Sequence, residues 1–289
     1  MSQVLFYLII KPLSLLPMPV LYLFSDAMYL VVYRLVGFRK KVVWNNLCNA
    51  FPDKSPAELR VIMKAFYSHF CDLIVESIRM FSMSEAEARR RCTFRGTEIL
   101  EEHHRAGRSV VLTTGHYNSW ELAVMIMDTL ISHQTVGIYA PLSNSFFEKK
   151  INASRGKYGM VLVSKNQIAE YVEQHQDQLN LYILAADQSP TYAKKVYWTR
   201  FLNQETAVAF GPEKFAKKYD MAVVYCHIYK QSRGFYEVVF ENIESQPGQA
   251  PHGSITEAHV RALEKDILAA PQFWLWTHKR WKRKRREDE

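Results

Sequence analysis

His116 and Glu121 close the segment Ser109-Val-Val-Leu-Thr-Thr-Gly-His-Tyr-Asn-Ser-Trp-Glu121 and are of the right types for acid–base chemistry. An imidazole can take the proton from an attacking hydroxyl, while a carboxylate beside it fixes the ring tautomer and stabilises the imidazolium that forms. Their spacing makes a structural demand. Positions this far apart on a continuous helix point to different sides, so the two can meet only with His116 in a turn and Glu121 in the first turn of a following helix. There the helix dipole favours the charged carboxylate. As a bare pattern H-x4-E is weak: His252 with Glu257 and His259 with Glu264 also fit it. Those two pairs follow no strand and read as solvated surface residues. Spacing alone would favour a hydrogen-bonded core histidine at 116 over a base; the apolar run and Gly turn before it tip the reading to the base.

The elements that must hold such a site are readable from hydrophobic patterning. After Gly107, short apolar runs at 109–114, 134–139, 160–163, 179–185 and 222–229 alternate with helical stretches. Alternation of this kind predicts an α/β domain with a mainly parallel sheet flanked by helices, in which ligands bind at strand ends. Residues 236–240 could pair as a hairpin with the strand before them, and 256–269 reads as a late helix stopped by Pro271. Upstream, Leu59, Ile62, Met63, Phe66, Phe70, Leu73 and Ile74 recur at helical spacing, with Ser55 and Glu58 placed as a capping box. The expected division is a membrane-associated helical segment over 1–38 and one domain over 39–289, helical over 39–105 and sheet-containing over 106–289.

Between Met1 and Phe38 the only charged side chains are Lys11, Asp26 and Arg34. A basic start and a small-residue cleavage site are both missing, so the segment reads as retained. Lys11, Pro12, Pro17 and Pro19 interrupt it, and two arrangements stay open: a helix near 13–35 that spans the bilayer or is half inserted, and a buried core helix. In the first, Arg34, Arg39, Lys40 and Lys41 would stay on the cytoplasmic side. The formal charge of +8 suits nucleic acid, an anionic membrane surface or an acidic protein. Seven Lys or Arg between Lys279 and Arg286 supply much of it, followed by Glu287, Asp288 and Glu289. This end would suit an acidic partner or anionic headgroups, or else is a solvated terminus. The four scattered cysteines suggest neither a disulfide framework nor a zinc site and fit a reducing compartment. No metal or cofactor is called for.

The segment around His116 and Glu121 resembles the H-x4-D/E motif of glycerolipid-type acyltransferases, specifically the bacterial lipid A biosynthesis lauroyl/myristoyl acyltransferases. The likeness continues through Asn46-Leu47, Ala50-Phe51-Pro52, Glu76, Arg79, Arg155 with Gly156 and Gly159, Asp187-Gln188, Phe210-Gly211-Pro212 and the 271–282 stretch with Trp276, His278, Lys279 and Arg280. The resemblance implies a glycerolipid-acyltransferase-like α/β fold at the inner (cytoplasmic) membrane, with the catalytic domain on the cytoplasmic side. It also implies an acyl-carrier-protein thioester as donor and a hydroxyl of a membrane lipid, such as a lipid A precursor, as acceptor. His116 would be the base and Glu121 its partner. Arg155, Asp187 and Gln188 would line the substrate site, although Arg155 and Asp187 could equally form a structural ion pair. One departure is local: where the family has Gly-Asn before Trp-Glu, this chain has Asn118-Ser119. Rival readings are an acyl-CoA-dependent lysophospholipid or aminolipid O-acyltransferase, and a non-enzymatic basic module for membrane or nucleic acid. No nucleic-acid-binding signature is present, and nucleic acid is not expected as a partner.

Overall fold

The computed structural model describes residues 1–190 and 195–285. Its strands are β1 (Cys92–Arg95), β2 (Val110–Thr114), β3 (Gln134–Tyr139), β4 (Val161–Ser164), β5 (Asn180–Ala185), β6 (Val196–Phe201), β7 (Gln204–Ala209), β8 (Ala222–Ser232) and β9 (Phe235–Glu244). Among the described residues, seven form one sheet in the order β1-β9-β8-β2-β5-β3-β4, while β6 and β7 pair separately. Every pairing in the large sheet is parallel except β8 with β9. The α/β class and the mainly parallel sheet flanked by helices are as the alternating pattern predicts.

β2 lies at the centre, and its side chains are buried on both faces. Val110 and Leu112 join one core with Leu122, Met125 and Ile126; Val111 joins another with Val172 and Ala216. Helices therefore cover both sides, which is why the strand reads as a continuous apolar run rather than an alternating one. β2 pairs with β5 from Val110↔Leu181 to Thr114↔Ala185, a register that decides which residues meet beyond the strand ends.

The Pro56–Met80 helix starts as its capping box predicts. The Ser55 side chain accepts from the Glu58 N–H at 3.3 Å, and the Ser55 N–H donates to the Glu58 carboxylate at 2.8 Å. Ser55→Ala removes the first of these bonds and should cost about 1 kcal/mol, read as a lower urea midpoint with an unchanged slope. Leu59, Met63 and Phe66 of this helix enter the core, whereas Phe70, Leu73 and Ile74 stay half-buried.

Four features differ from the sequence reading. β1 lies in a stretch read as helical, with Cys92 at its start; it is short, and Thr93 and Arg95 point outward. The β6–β7 hairpin turns at Leu202-Asn203, both in the left-handed region (φ 48° and 62°), without the Asn-Gly or Asp-Gly signal usual for such a turn. His259 is not a solvated surface residue: it lies on the buried stripe of the Ser254–Ala269 helix with Ile255, Leu263 and Ile267. Nor is the basic C-terminal stretch simply a solvated end. Trp274, Trp276, Arg280 and Arg283 are buried, and Asn46 donates to the carbonyls of Trp276 and His278 at 2.9 and 3.0 Å. Arg286, Glu287, Asp288 and Glu289 lie outside the described residues.

At the N-terminus, the helical run Met18–Val36 is long and apolar enough to cross a membrane, and 17% of it is buried inside the protein.

Candidate active site

Thr114 of β2 and Ala185 of β5 are register partners, so the residues two positions on from each, His116 and Asp187, come side by side. Gly115 makes the approach possible. A Cβ there would lie 2.7 Å from Leu263 Cδ1 and 3.4 Å from Asp187 Oδ2, so a larger residue would have to displace the buried Leu263 side chain and would crowd the carboxylate. His116 Nδ1 stands 2.6 Å from Asp187 Oδ1, and the His116 backbone N–H donates to Oδ2 at 2.9 Å. The Trp274 indole N–H donates to that same Oδ2 at 2.9 Å. Both carboxylate oxygens are thus engaged, and only 3% of the Asp187 side chain is exposed.

Burial alone would lower the His116 pKa and raise that of Asp187. Their mutual attraction and hydrogen bonds outweigh it. His116 ends above its ordinary value, with Glu121 adding to the rise and Arg155 opposing it. Asp187 is held well below the usual carboxylate range. With Nδ1–H committed to Asp187, the His116 Nε2 lone pair is left to accept a proton, and the exposed Gln188 amide nitrogen lies 3.2 Å from it. The Trp120 ring packs edge-on against the imidazole at 5.1 Å between centroids.

Glu121 meets the structural demand set by its spacing: it lies in the first turn of the Trp120–Met127 helix, and His116 in the turn before. Its carboxylate, however, faces Arg155, the last residue of the Ser145–Arg155 helix. Arg155 Nε donates to Oε2 at 2.7 Å and Nη2 to Oε1 at 2.5 Å, a two-pronged pair. The contact that fixes the imidazole tautomer is therefore made by Asp187, and Glu121 influences His116 through space. Nor do Arg155 and Asp187 pair with each other; each has a different partner.

The departure at Asn118-Ser119 has a backbone explanation. Asn118 has φ 53°, a left-handed conformation that glycine adopts freely and asparagine tolerates better than most residues. Its side chain donates to the Ile228 carbonyl at 2.6 Å and its N–H to the Phe273 carbonyl at 3.0 Å, which pins the turn.

The 271–282 stretch contributes more than the sequence reading assigned it. Besides Trp274, His278 supports the site: its Nε2 accepts the Ser189 N–H at 3.0 Å and so holds the strand-end loop that carries Asp187 and Gln188. Burial pushes the His278 pKa down to about 4, keeping it a neutral acceptor. The buried Arg280 lines a small cavity together with Asp187. The one signal in the sequence was two tryptophans just past a helix-stopping proline, since a buried indole N–H requires an acceptor.

A second histidine–carboxylate pair, His227 with Asp266 at 2.8 Å, has its other ring nitrogen 2.9 Å from Glu241. With both nitrogens engaged by carboxylates, it offers no base. His116 differs in having its second nitrogen directed to a neutral, displaceable amide.

An apolar groove of about 730 Å³ opens at Trp120, whose ring packs against the His116 imidazole. Phe70, Leu73, Ile74 and Ile78 of the Pro56–Met80 helix form one wall, and Phe147 and Ile151 of the Ser145–Arg155 helix line it too. Trp120, Glu121 and Arg155 also border it, which joins the groove to the neighbours of the imidazole. The arrangement offers a base, an anionic support for the imidazolium, and an apolar slot beside them.

Residues 2–283 match the family model described as bacterial lipid A biosynthesis acyltransferase. No curated protein matches the chain.

Proposed function

Since this chain belongs to the bacterial lipid A biosynthesis acyltransferase family and is therefore an acyltransferase, we propose that it moves a fatty acyl chain from an acyl-carrier-protein thioester to a hydroxyl of a membrane glycolipid, a lipid A precursor or a related lipid. The observation that carries this reading is the His116–Asp187 pair, packed against Trp120, which lines an apolar groove able to hold an alkyl chain.

In the proposed reaction the acceptor hydroxyl displaces the Gln188 amide from His116 Nε2 and gives its proton to that nitrogen. Its oxygen attacks the thioester carbonyl. The imidazolium so formed is stabilised by Asp187, and the oxyanion by first-turn N–H groups of the Trp120–Met127 helix, which have no partner within the helix. When the intermediate collapses, the C–S bond breaks and the departing sulfur takes the proton back from His116, leaving an ester and a free thiol. Asp187 is a positioning residue here, since both its oxygens are engaged. Arg155, steered by Glu121, stands at the groove border, where it would hold acceptor phosphate or sugar hydroxyls. The domain would sit on the cytoplasmic side of the inner membrane, and the exposed lysines of the C-terminal stretch would meet an acidic carrier protein.

The test is lipid mass spectrometry on cells lacking the gene, complemented with the native chain or with His116→Ala. One lipid class gaining a single acyl mass only with the native chain supports the reading; the same gain with His116→Ala overturns it. A purified assay offering acyl-carrier-protein and acyl-CoA thioesters side by side identifies the donor. Narrowing the groove with Ser77→Trp should move the product to shorter chains. Each methylene that no longer fits costs about 0.8 kcal/mol, about fourfold in kcat/KM, and the readout is the acyl-length distribution of the product.

A further inference from the structure

The Met18–Val36 run has two unlike sides. Leu23, Phe24, Leu30, Val31, Leu35 and Val36 are exposed on one. On the other, a stripe recurring about once per turn is fastened to the domain. Met18 and Leu21 are buried against Val75. The Tyr22 hydroxyl donates to Glu76 at 3.0 Å and the Ser25 hydroxyl to Asp72 at 2.7 Å. Asp26 pairs with Arg233 of the β8–β9 turn at 2.7 Å, and Arg233 also holds Asp72 at 2.6 Å. Further along, the Tyr33 ring packs on Tyr67 at 5.2 Å. Asp72 and Glu76 are the receiving residues on the Pro56–Met80 helix, so polar contacts hold the run between Tyr22 and Asp26, with apolar or aromatic contacts on either side.

A helix fastened in this way cannot stand across a bilayer by itself. Asp26 lies near the middle of the run, so a crossing would bring Asp26, Arg233 and Asp72 together to the centre of the hydrocarbon, where ionised groups are rare and costly. Laid flat, the same helix keeps its ion pairs on the protein side and buries its outward apolar row in the headgroup–acyl boundary, the usual depth of an interfacial helix. Exposed Arg34, Arg39 and Lys41 flank the row and match anionic headgroups. Phe38 and Arg39, immediately past its end, also line the apolar groove.

We propose that the Met18–Val36 helix lies flat in one leaflet of an anionic bilayer, as a fixed wall of the domain, and that the apolar groove opens onto that leaflet at Phe38. This placement is independent of the reaction, so its failure would leave the acyl-transfer reading standing, and the reverse.

The full chain, added from outside to sealed vesicles of phosphatidylethanolamine and phosphatidylglycerol, tests it. Leu15→Cys, Phe24→Cys and Val36→Cys, each at an exposed position and each in a Cys48→Ser background, carry an environment-sensitive fluorophore. The expected result is that external dithionite bleaches the labels at 15 and 36 to the same extent, and that lipid-borne quenchers place all three at one shallow depth. If one end stays protected until detergent opens the vesicles, with the label at 24 the deepest, the helix spans and the proposal is overturned. Labels at 24 and 36 that show no lipid contact on bound protein overturn it as well.

Discussion

His116→Ala should reduce acyl transfer by about 100- to 10,000-fold, the usual contribution of a positioned general base, in a chain that still folds but with a urea midpoint lowered by the loss of the partner of buried Asp187. The imidazole is partly exposed, and among the described residues its ring nitrogens bond only Asp187 and the displaceable Gln188 amide. The loss should fall on kcat more than on KM, because the proton is taken in the transition state and not on binding. Single-turnover assays with a saturating thioester check this. An equal loss in KM would mean that His116 binds substrate rather than activates it.

Asp187→Asn should approach the same loss, because an amide at this place cannot stabilise the imidazolium and disturbs the tautomer that leaves Nε2 free. It acts only through His116, so the double variant should be no slower than His116→Ala alone, a non-additivity that a merely structural residue would not show. The pH profile adds a second readout. The base works when neutral, and its pKa is raised in the native chain, so kcat/KM should rise with pH and reach half its plateau above about 6.5. Without the Asp187 charge, burial acts with less opposition and the midpoint should move to lower pH. Stability follows the same pair with opposite limits. The depressed Asp187 pKa contributes stability above the unfolded carboxylate range of about 3.9 that is lost as pH falls through its folded value. The raised His116 pKa contributes stability in full below about 6.5 that is lost as pH climbs through its folded value. The difference in urea midpoint between the native chain and Asp187→Asn should therefore be largest in mildly acidic buffer.

The contrast between Glu121 and Asp187 shows what was legible in the sequence. The local geometry was: a buried strand, a Gly turn, His116 in the turn and Glu121 in the first helical turn all follow from short-range patterning. The partner of His116 was not, because it comes from the register of β2 against β5, two strands whose ends lie 71 positions apart in sequence. A sequence shows that two strands exist more readily than which residue of one faces which of the other. β1 stayed hidden because its alternation, Cys92 and Phe94 inward and Thr93 and Arg95 outward, runs for only four residues. The β6–β7 hairpin was missed because a leucine occupies a left-handed turn position, tolerated where its side chain is buried and its N–H is held by Glu264 at 2.6 Å. The C-terminal stretch misled through its charge: lysines and arginines dominate its composition, while its tryptophans and His278 support the site.

That last support has a temporal side. The strands of the large sheet are complete once Glu244 has been made, and His116 and Asp187 by then already lie just past the ends of neighbouring strands. Trp274, which grips Asp187, and His278, which holds the loop behind it, come later in the chain. At about 5–20 residues per second, a growing chain passes through an interval of seconds in which the sheet and the apolar N-terminus exist while the histidine dyad still lacks its brace. Synthesis order thus puts the apolar N-terminus first and completes the support of the histidine dyad only as the last segment folds back across the strand ends.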